Sequence, residues 1–548
     1  MKPVRVLFVG WDGAEPELVE PWLRAGKLPV LAQLLSRGAG GRIESTVPAV
    51  TPPAWTSAVT GVNPGRHGIY SFTRPHPLDY GEELVTAAER QAPSVWQYLS
   101  SAGRRVGVFN LSLSYPPEPL NGFLFAGFDA PVFAPQIMYP SEVFPRVTKG
   151  ISGYIHEGLG DLEGEHVPEK LNRQARQQAE MLHALTEEIP VEILAVNYNA
   201  PDHVHHHAWP LGSSAEEIVA QGGSAVEAVY RHLDGVLGEL LERYTDDDTN
   251  VIIFSDHGGG GMKGHLSLAQ ALEQGGFIVR QSRRRADLLT EMRRTARRML
   301  PRQMKAKLWA MAGGEVRENM AHRLRAGLVA DVDWSRTRAF PWGSSGFVQV
   351  NLQGRQPQGC VPSAEYDQVR AEVIQYLSEF RDPHTGQPIV GFLKRGEEAF
   401  GEPRVGYCPD VVAEGAGHEY AVMPQWEGWG ADWKSGLRMI GPGETRLRGV
   451  TANHRPWGIL YAGGPAVRAG ASVPPLRMVD VAPTIMYLAG EPVPRGLDGR
   501  VARELWDTGV DPGDQEEMEA TTPGAESAPY SEAEQAAVES RLRDLGYM

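Results

Sequence analysis

At 548 residues and 42% hydrophobic content, the chain can bury one large α/β core carrying insertions, or two to three units. A formal charge of −15 and a pI near 5.6 argue against a binder of nucleic-acid polymers, which needs a broad basic face, yet leave room for small anionic substrates where a metal inverts the local field. Cys360 and Cys408 are the only cysteines, which gives no disulfide framework and no thiolate zinc site, and no uncharged apolar run approaches the roughly 18 residues that span a bilayer, so a soluble, cytoplasmic protein is expected.

Residues 4–10 form an apolar run too short for a signal peptide and are followed at once by Asp12. They are predicted as a first buried strand, with Asp12 in the turn Gly-Trp-Asp-Gly; by itself this is a common turn sequence. Thr51 opens Thr-Pro-Pro-Ala-Trp-Thr-Ser-Ala-Val-Thr-Gly. Prolines suit a first helical turn, whose N–H groups lack intrahelical partners. Thr51 is therefore predicted to cap a helix, with its hydroxyl in the positive end of the dipole, where an alkoxide or phosphate oxygen is favoured.

Residues 105–110 and 191–197 read as further strands, and 170–188 and 224–244 as amphipathic helices. Past the second of those strands comes Pro-Asp-His-Val-His-His-His. On a helix, Asp202 and His206 would lie one turn apart on one face and grip one ion, with His203, His205 and His207 as alternatives. Residues 250–254 form another buried strand that ends in Ser255, Asp256, His257 and Gly258. Turning backbone there aims a carboxylate and an imidazole at one point, the strongest local signal in the chain.

From 267 to 335 the composition becomes helical and basic, with Arg283-Arg284-Arg285, Arg293-Arg294 and Arg297-Arg298. This stretch is read as an inserted cap or lid; a solvated helix face is the simpler account, and contact with a membrane surface or an anionic substrate the alternative. His454 precedes a strand at 458–462. Residues 511–527 read as a linker, and 531–545 as a short helix that docks on the body. The alternation predicts an α/β fold, a mostly parallel central sheet flanked by helices with ligands at the strands' carboxyl ends. Its units are a core over 1–266, the basic cap over 267–335, the rest of the core over 336–510, and the linker with its helix over 511–548.

Asp12, Asp202, Asp256, His206, His257, His454 and Thr51 together supply three carboxylates, three imidazoles and a hydroxyl. That set suits two zinc-like ions and a hydroxyl attacking phosphorus between them. Without thiolates, zinc is preferred; manganese and iron fit the same donors. Trp55, Tyr70, Phe72, Trp342 and Arg355 are candidates to line a substrate cleft.

In this order and context the chain resembles the alkaline phosphatase superfamily, in its type I phosphodiesterase/nucleotide pyrophosphatase branch. The pieces are Val-Gly-Trp-Asp-Gly at 9–13, Pro-Ala-Val-Thr-Pro-Pro-Ala-Trp-Thr-Ser at 48–57, Thr-Gly-Val-Asn-Pro-Gly-Arg-His-Gly-Ile at 60–69, Asp202 with His206, and Ser-Asp-His-Gly at 255–258. Asn351-Leu352-Gln353-Gly354-Arg355, His454 and Asp480-Val481-Ala482-Pro483-Thr484 complete them. The resemblance implies one ion on Asp202, His206 and His454, the other on Asp12, Asp256 and His257, and Thr51 bridging towards the second. It also implies hydrolysis of a small-molecule phosphate ester, chiefly a diester, through a phosphothreonine. That branch usually carries Asn three residues after its nucleophile, to hold a phosphoryl oxygen. Ala54 stands there instead, so nucleotide specificity does not follow. A sulfatase or phosphonate hydrolase on the same scaffold is the rival chemistry, the sulfatase weaker because no cysteine replaces Thr51. A catalytically silent, metal-stabilised protein docking on membranes or an acidic partner is the rival from another class.

Overall fold

The computed structural model describes residues 3–149, 151, 154, 167–281, 329, 331–403, 405–424, 426, 436–440, 451–471, 473–507, 509, 530–545 and 547. The arginine clusters at 283–298 and the linker at 511–527 lie outside them. The expected α/β class holds, built on a nine-stranded sheet. In chain order its strands are β1 (Val6–Trp11), β2 (Ala39–Glu44), β3 (Val106–Phe109), β4 (Gly122–Phe125), β5 (Met138–Tyr139), β6 (Ile193–Tyr198), β7 (Asn250–Phe254), β8 (Trp457–Gly463) and β9 (Leu476–Arg477). Across the sheet they run β9-β2-β8-β7-β1-β6-β3-β4-β5.

β7, β1, β6, β3 and β4 are mutually parallel. β1, β6 and β7 are buried at every position, as expected of strands covered on both faces. Each buried Val, Leu, Ile or Phe there contributes about 1.5–3 kcal/mol. Helices α1 (Thr51–Thr60), α2 (Val167–Glu188), α3 (Ala200–Ala208), α4 (Ala225–Tyr244), α5 (Val481–Ala489) and α6 (Glu532–Asp544) belong to the same body. No helix among the described residues is long and apolar enough to cross a membrane.

Strand direction decides where chemistry gathers. In register, Gly10 pairs Phe254 and Trp11 pairs Tyr198, so residues 12, 199–202 and 255–257 leave the sheet at one edge. β8 runs antiparallel to β7, which brings its beginning, and His454 before it, to that same edge. β2 runs antiparallel to β8, so the chain leaving β2 reaches the edge too and enters α1 at Thr51.

A second core lies under a four-stranded sheet ordered Ala339–Trp342, Gly346–Val350, Val411–Gly415, Val390–Arg395. Helices Leu268–Gln274 and Tyr366–Ser378 pack there through Leu268, Leu272, Val369 and Val373. The helix Leu268–Gln274 is thus the start of the 267–335 stretch, and its apolar face is core.

Candidate active site

The three carboxylates are laced together by backbone. Gly13 N–H donates to Asp256 Oδ1 (3.1 Å), and Asp202 N–H donates to the Asp12 carbonyl (3.0 Å). Gly13 makes this possible: its φ is +71°, and a Cβ there would stand 2.7 Å from the Asp202 Cβ and 2.9 Å from its Cα, closer than any side chain tolerates.

Each carboxylate then has one oxygen tied back and one bare. Asp12 Oδ2 accepts from Trp55 Nε1 (2.9 Å), Asn199 Nδ2 (2.9 Å) and Asn197 Nδ2 (3.4 Å). Asp256 Oδ1 takes the Gly13 bond, and Asp202 Oδ2 takes one from the Tyr547 hydroxyl (2.5 Å). Asp12 Oδ1, Asp202 Oδ1 and Asp256 Oδ2 are buried and accept no hydrogen bond among the described residues. Buried polar atoms are rarely left so.

The imidazoles face those atoms. His257 Nδ1 donates to the Gly258 carbonyl (2.9 Å) and His454 Nδ1 to that of Ala49 (2.7 Å), so that in the neutral imidazole each Nε2 would present its lone pair inward. His257 Nε2 lies 3.4 Å from Asp256 Oδ2 and 3.7 Å from Asp12 Oδ1. His454 Nε2 lies 3.4 Å from Asp202 Oδ1 and 2.9 Å from His206 Nε2. His206 Nε2 is itself 3.4 Å from Asp202 Oδ1, one turn along α3 as the spacing predicts. The His257 and His454 rings stack at 3.8 Å and join the two halves. Ligand atoms of Asp12, Asp256 and His257 lie within 4.8 Å of one another, as do those of Asp202, His257 and His454.

Electrostatics says the same. Burial, then the nearby carboxylates of Asp256 and Asp202, pushes the Asp12 carboxyl well above its ordinary range, and burial with Asp202 does so for Asp256. Burial works to raise Asp202 too, but the imidazoles of His206 and His454 hold it low. Burial, reinforced by His454, lowers His257. Three carboxylates in a dry pocket call for cationic charge, and the bare oxygens and inward Nε2 atoms are the donors a divalent ion takes.

Thr51 is not the cap the sequence predicts. Val50, in extended conformation, precedes the helix without a side-chain cap bond, and Thr51 is its first residue. The hydroxyl is therefore not spent on capping: Oγ1 lies 3.2 Å from His257 Nε2, fully buried. The expected residues thus converge on one pocket.

Of the proposed substrate-lining residues, Trp342 and Arg355 line a separate cleft together with Arg74 and Tyr80. Trp55 is fully buried and orients Asp12 from behind. Tyr70 and Trp342 pack together with Phe347 and Phe400, and Phe72 packs on Phe128 and Tyr547. Arg355 grips Asp410 with two bonds (2.9 and 2.5 Å) in the second core, because that buried carboxylate needs a counter-charge. Of the alternative histidines, His205 stacks on Tyr230 and shares a 3.1 Å bond with its hydroxyl, and His203 lies against Phe128. Sequence reading missed Asn199, held by Asn110 Nδ2 (3.0 Å), and Tyr547; neither sits in a motif that marks it.

The family model "Type I phosphodiesterase / nucleotide pyrophosphatase" matches residues 6–429. No curated protein matches in sequence. Among solved structures, human ectonucleotide pyrophosphatase/phosphodiesterase 5 is similar at 13% identity, covering 92% of this chain and 100% of its own, with a TM-score of 0.50. Its murine counterpart in complex with AMP (12%, 90% and 96%, TM-score 0.45) and phosphonoacetate hydrolase from Sinorhizobium meliloti in complex with phosphonoformate (15%, 89% and 96%, TM-score 0.49) are also similar. With the family model spanning most of its length, the chain belongs to the type I phosphodiesterase/nucleotide pyrophosphatase family and is a metal-dependent hydrolase of phosphate esters.

Proposed function

We propose that the chain hydrolyses phosphodiesters of small molecules by two displacements at phosphorus, with Thr51 as nucleophile. The carrying observation is the Thr51 hydroxyl, buried yet unspent on capping, 3.2 Å from His257 Nε2, the atom that also faces the bare oxygens of Asp12 and Asp256. Two divalent cations, zinc by the donor set and manganese or iron as substitutes, would be held by Asp202, His206 and His454 and by Asp12, Asp256 and His257; they would lower the pKa of the Thr51 hydroxyl and offset phosphoryl charge. The Thr51 oxygen, giving up its proton, bonds to phosphorus as one ester oxygen departs and is protonated. Water attacking from the vacated side then cleaves the resulting threonine phosphodiester, which still carries the substrate's other ester group, to release a phosphomonoester. α1 runs away from that oxygen, so its positive end faces the incoming phosphate.

A cleft opens over His206 and His454 between Val50 and the Ser344, Ser345 and Glu414 side. No lysine or arginine lines it among the described residues, and Glu414 adds negative charge. That favours a singly charged diester over a doubly charged monoester. Ala54, fully buried, offers no donor to a phosphoryl oxygen, so nucleotide specificity does not form part of the proposal.

Chromogenic phosphodiester, phosphomonoester, phosphonate and sulfate esters on one panel test the reading. The diester should turn over fastest, and acid-quenched enzyme should carry the phosphoryl group with its remaining ester substituent on the peptide containing Thr51. A Thr51→Ala variant with full activity would sink the nucleophile assignment, and preferred turnover of sulfate or phosphonate would replace the substrate class. We extend the proposal to a cytoplasmic location.

A further inference from the structure

Asp202 differs from the other two carboxylates in what ties back its second oxygen. Asp12 and Asp256 are held by groups on or just past an adjacent strand and, for Asp12, on α1. Asp202 Oδ2 accepts the hydroxyl of Tyr547, 345 residues away. We infer that Tyr547 is a positioning residue for Asp202, and that Tyr547 and the docked helix α6 before it are thereby a built-in part of the metal centre. The inference rests on the reading of Asp202, His206 and His454 as ligands.

A carboxylate free to rotate about its Cβ–Cγ bond offers either oxygen to an ion. With Oδ2 engaged at 2.5 Å, the length of a charge-assisted O–H···O bond, Oδ1 stays aimed at His206 and His454, 3.4 Å from each. The phenol ring is immobilised in turn. Phe72 packs at 4.9 Å and Phe128 stacks at 5.6 Å, while the His206 and His454 rings close the other sides at 5.6 and 6.4 Å. One side chain therefore fixes a carboxylate by its hydroxyl and two imidazoles by its ring.

The segment that delivers it is registered, not merely laid down. Ser531 caps α6, its side chain and that of Glu534 forming a capping box. Val538, Leu542 and Leu545 are buried in the main core. Tyr530 stacks on Tyr115 at 5.5 Å and donates to the Asp129 carbonyl (3.0 Å). Arg541 is buried and donates to the carbonyls of Phe128 (2.6 Å), Ala130 (2.5 Å) and Pro131 (3.2 Å). A buried guanidinium is costly unless its geometry is satisfied, and this one fixes the helix against the Phe128 loop on which Tyr547 stacks. An apolar tail covering a greasy patch would need neither Arg541 nor a hydroxyl on Asp202.

Tyr547→Phe keeps the ring and removes the bond. Its circular dichroism should match the wild type and its melting temperature fall by only a few degrees, while one of two bound ions leaves at about 10–100-fold lower chelator concentration, the usual effect of losing a partner behind a ligand. In the cobalt-substituted protein the visible spectrum of one site should change, and kcat should fall with KM little altered. Arg541→Met, which frees the helix from the three carbonyls with Tyr547 intact, should reproduce part of that loss. Two ions held as tightly as in the wild type, with an unchanged cobalt spectrum, would overturn the inference while leaving the proposed function standing. A wild-type protein that binds no metal would overturn both.

Discussion

Two clusters of buried charge in this molecule are built in opposite ways. In the second core Asp410 is saturated. Its Oδ1 accepts from Arg355 and Tyr366, and its Oδ2 from Arg355 and the Val350 N–H. At the carboxyl edge of β7, β1 and β6, Asp12, Asp202 and Asp256 are each held by one oxygen and left bare at the other. A saturated carboxylate has nothing left to offer and is structural. A carboxylate fixed on one side and naked on the other is preorganised for something absent from the protein, and its folding cost is tolerated because binding returns it.

The sharpest break between the clusters is expected at Thr51. Thr51→Ala should lower diester turnover by about 10⁴–10⁶-fold with both ions retained by elemental analysis; a loss of metal instead would make Thr51 a ligand before a nucleophile. Asp410→Ala should do the reverse. Unpairing Arg355, which keeps some solvent access, should cost about 3 kcal/mol of stability in denaturant titrations, with metal content and turnover per folded molecule unchanged.

Trp55→Phe removes one hydrogen bond from Asp12 Oδ2 without emptying the core. Metal affinity and turnover should fall about 10–100-fold at constant KM, whereas a rise in KM alone would return Trp55 to the substrate surface.

Asp256→Asn carries the comparison into stability. The Asp256 carboxyl is raised by burial and by Asp202, so its ionised form is disfavoured in the fold and any stability it lends is present at low pH and lost as pH rises. The metal-free variant, still able to accept from Gly13, should melt higher than the metal-free wild type at about pH 7.5, by a margin that shrinks towards about pH 5. The raised carboxyls of Asp12 and Asp256 also mean that metal must displace protons, so affinity should weaken on acidification. Metal affinity independent of pH over that range would contradict the ligand assignment.

What the sequence made legible follows from range. β7 runs over the predicted residues 250–254 because an apolar run bounded by polar residues is a local signal. α3 places Asp202 and His206 on one turn because helical spacing is local as well. The Thr51 cap failed by one position: Val50 already supplies the extended residue before the helix, and proline tolerance does not distinguish the cap from the first turn. Trp55 could not be placed by a local reading, because an aromatic reads the same whether its partner is a substrate or a carboxylate elsewhere in the chain. Tyr547 lies beyond any local reading, since its partner is fixed by the docking of α6.

The most direct test is the stereochemistry at phosphorus. With a diester made chiral by sulfur and oxygen isotopes, transfer through Thr51 inverts configuration twice, so net retention is expected. Net inversion would mean that water attacks the substrate directly, and would contradict a threonine nucleophile however the metals are arranged.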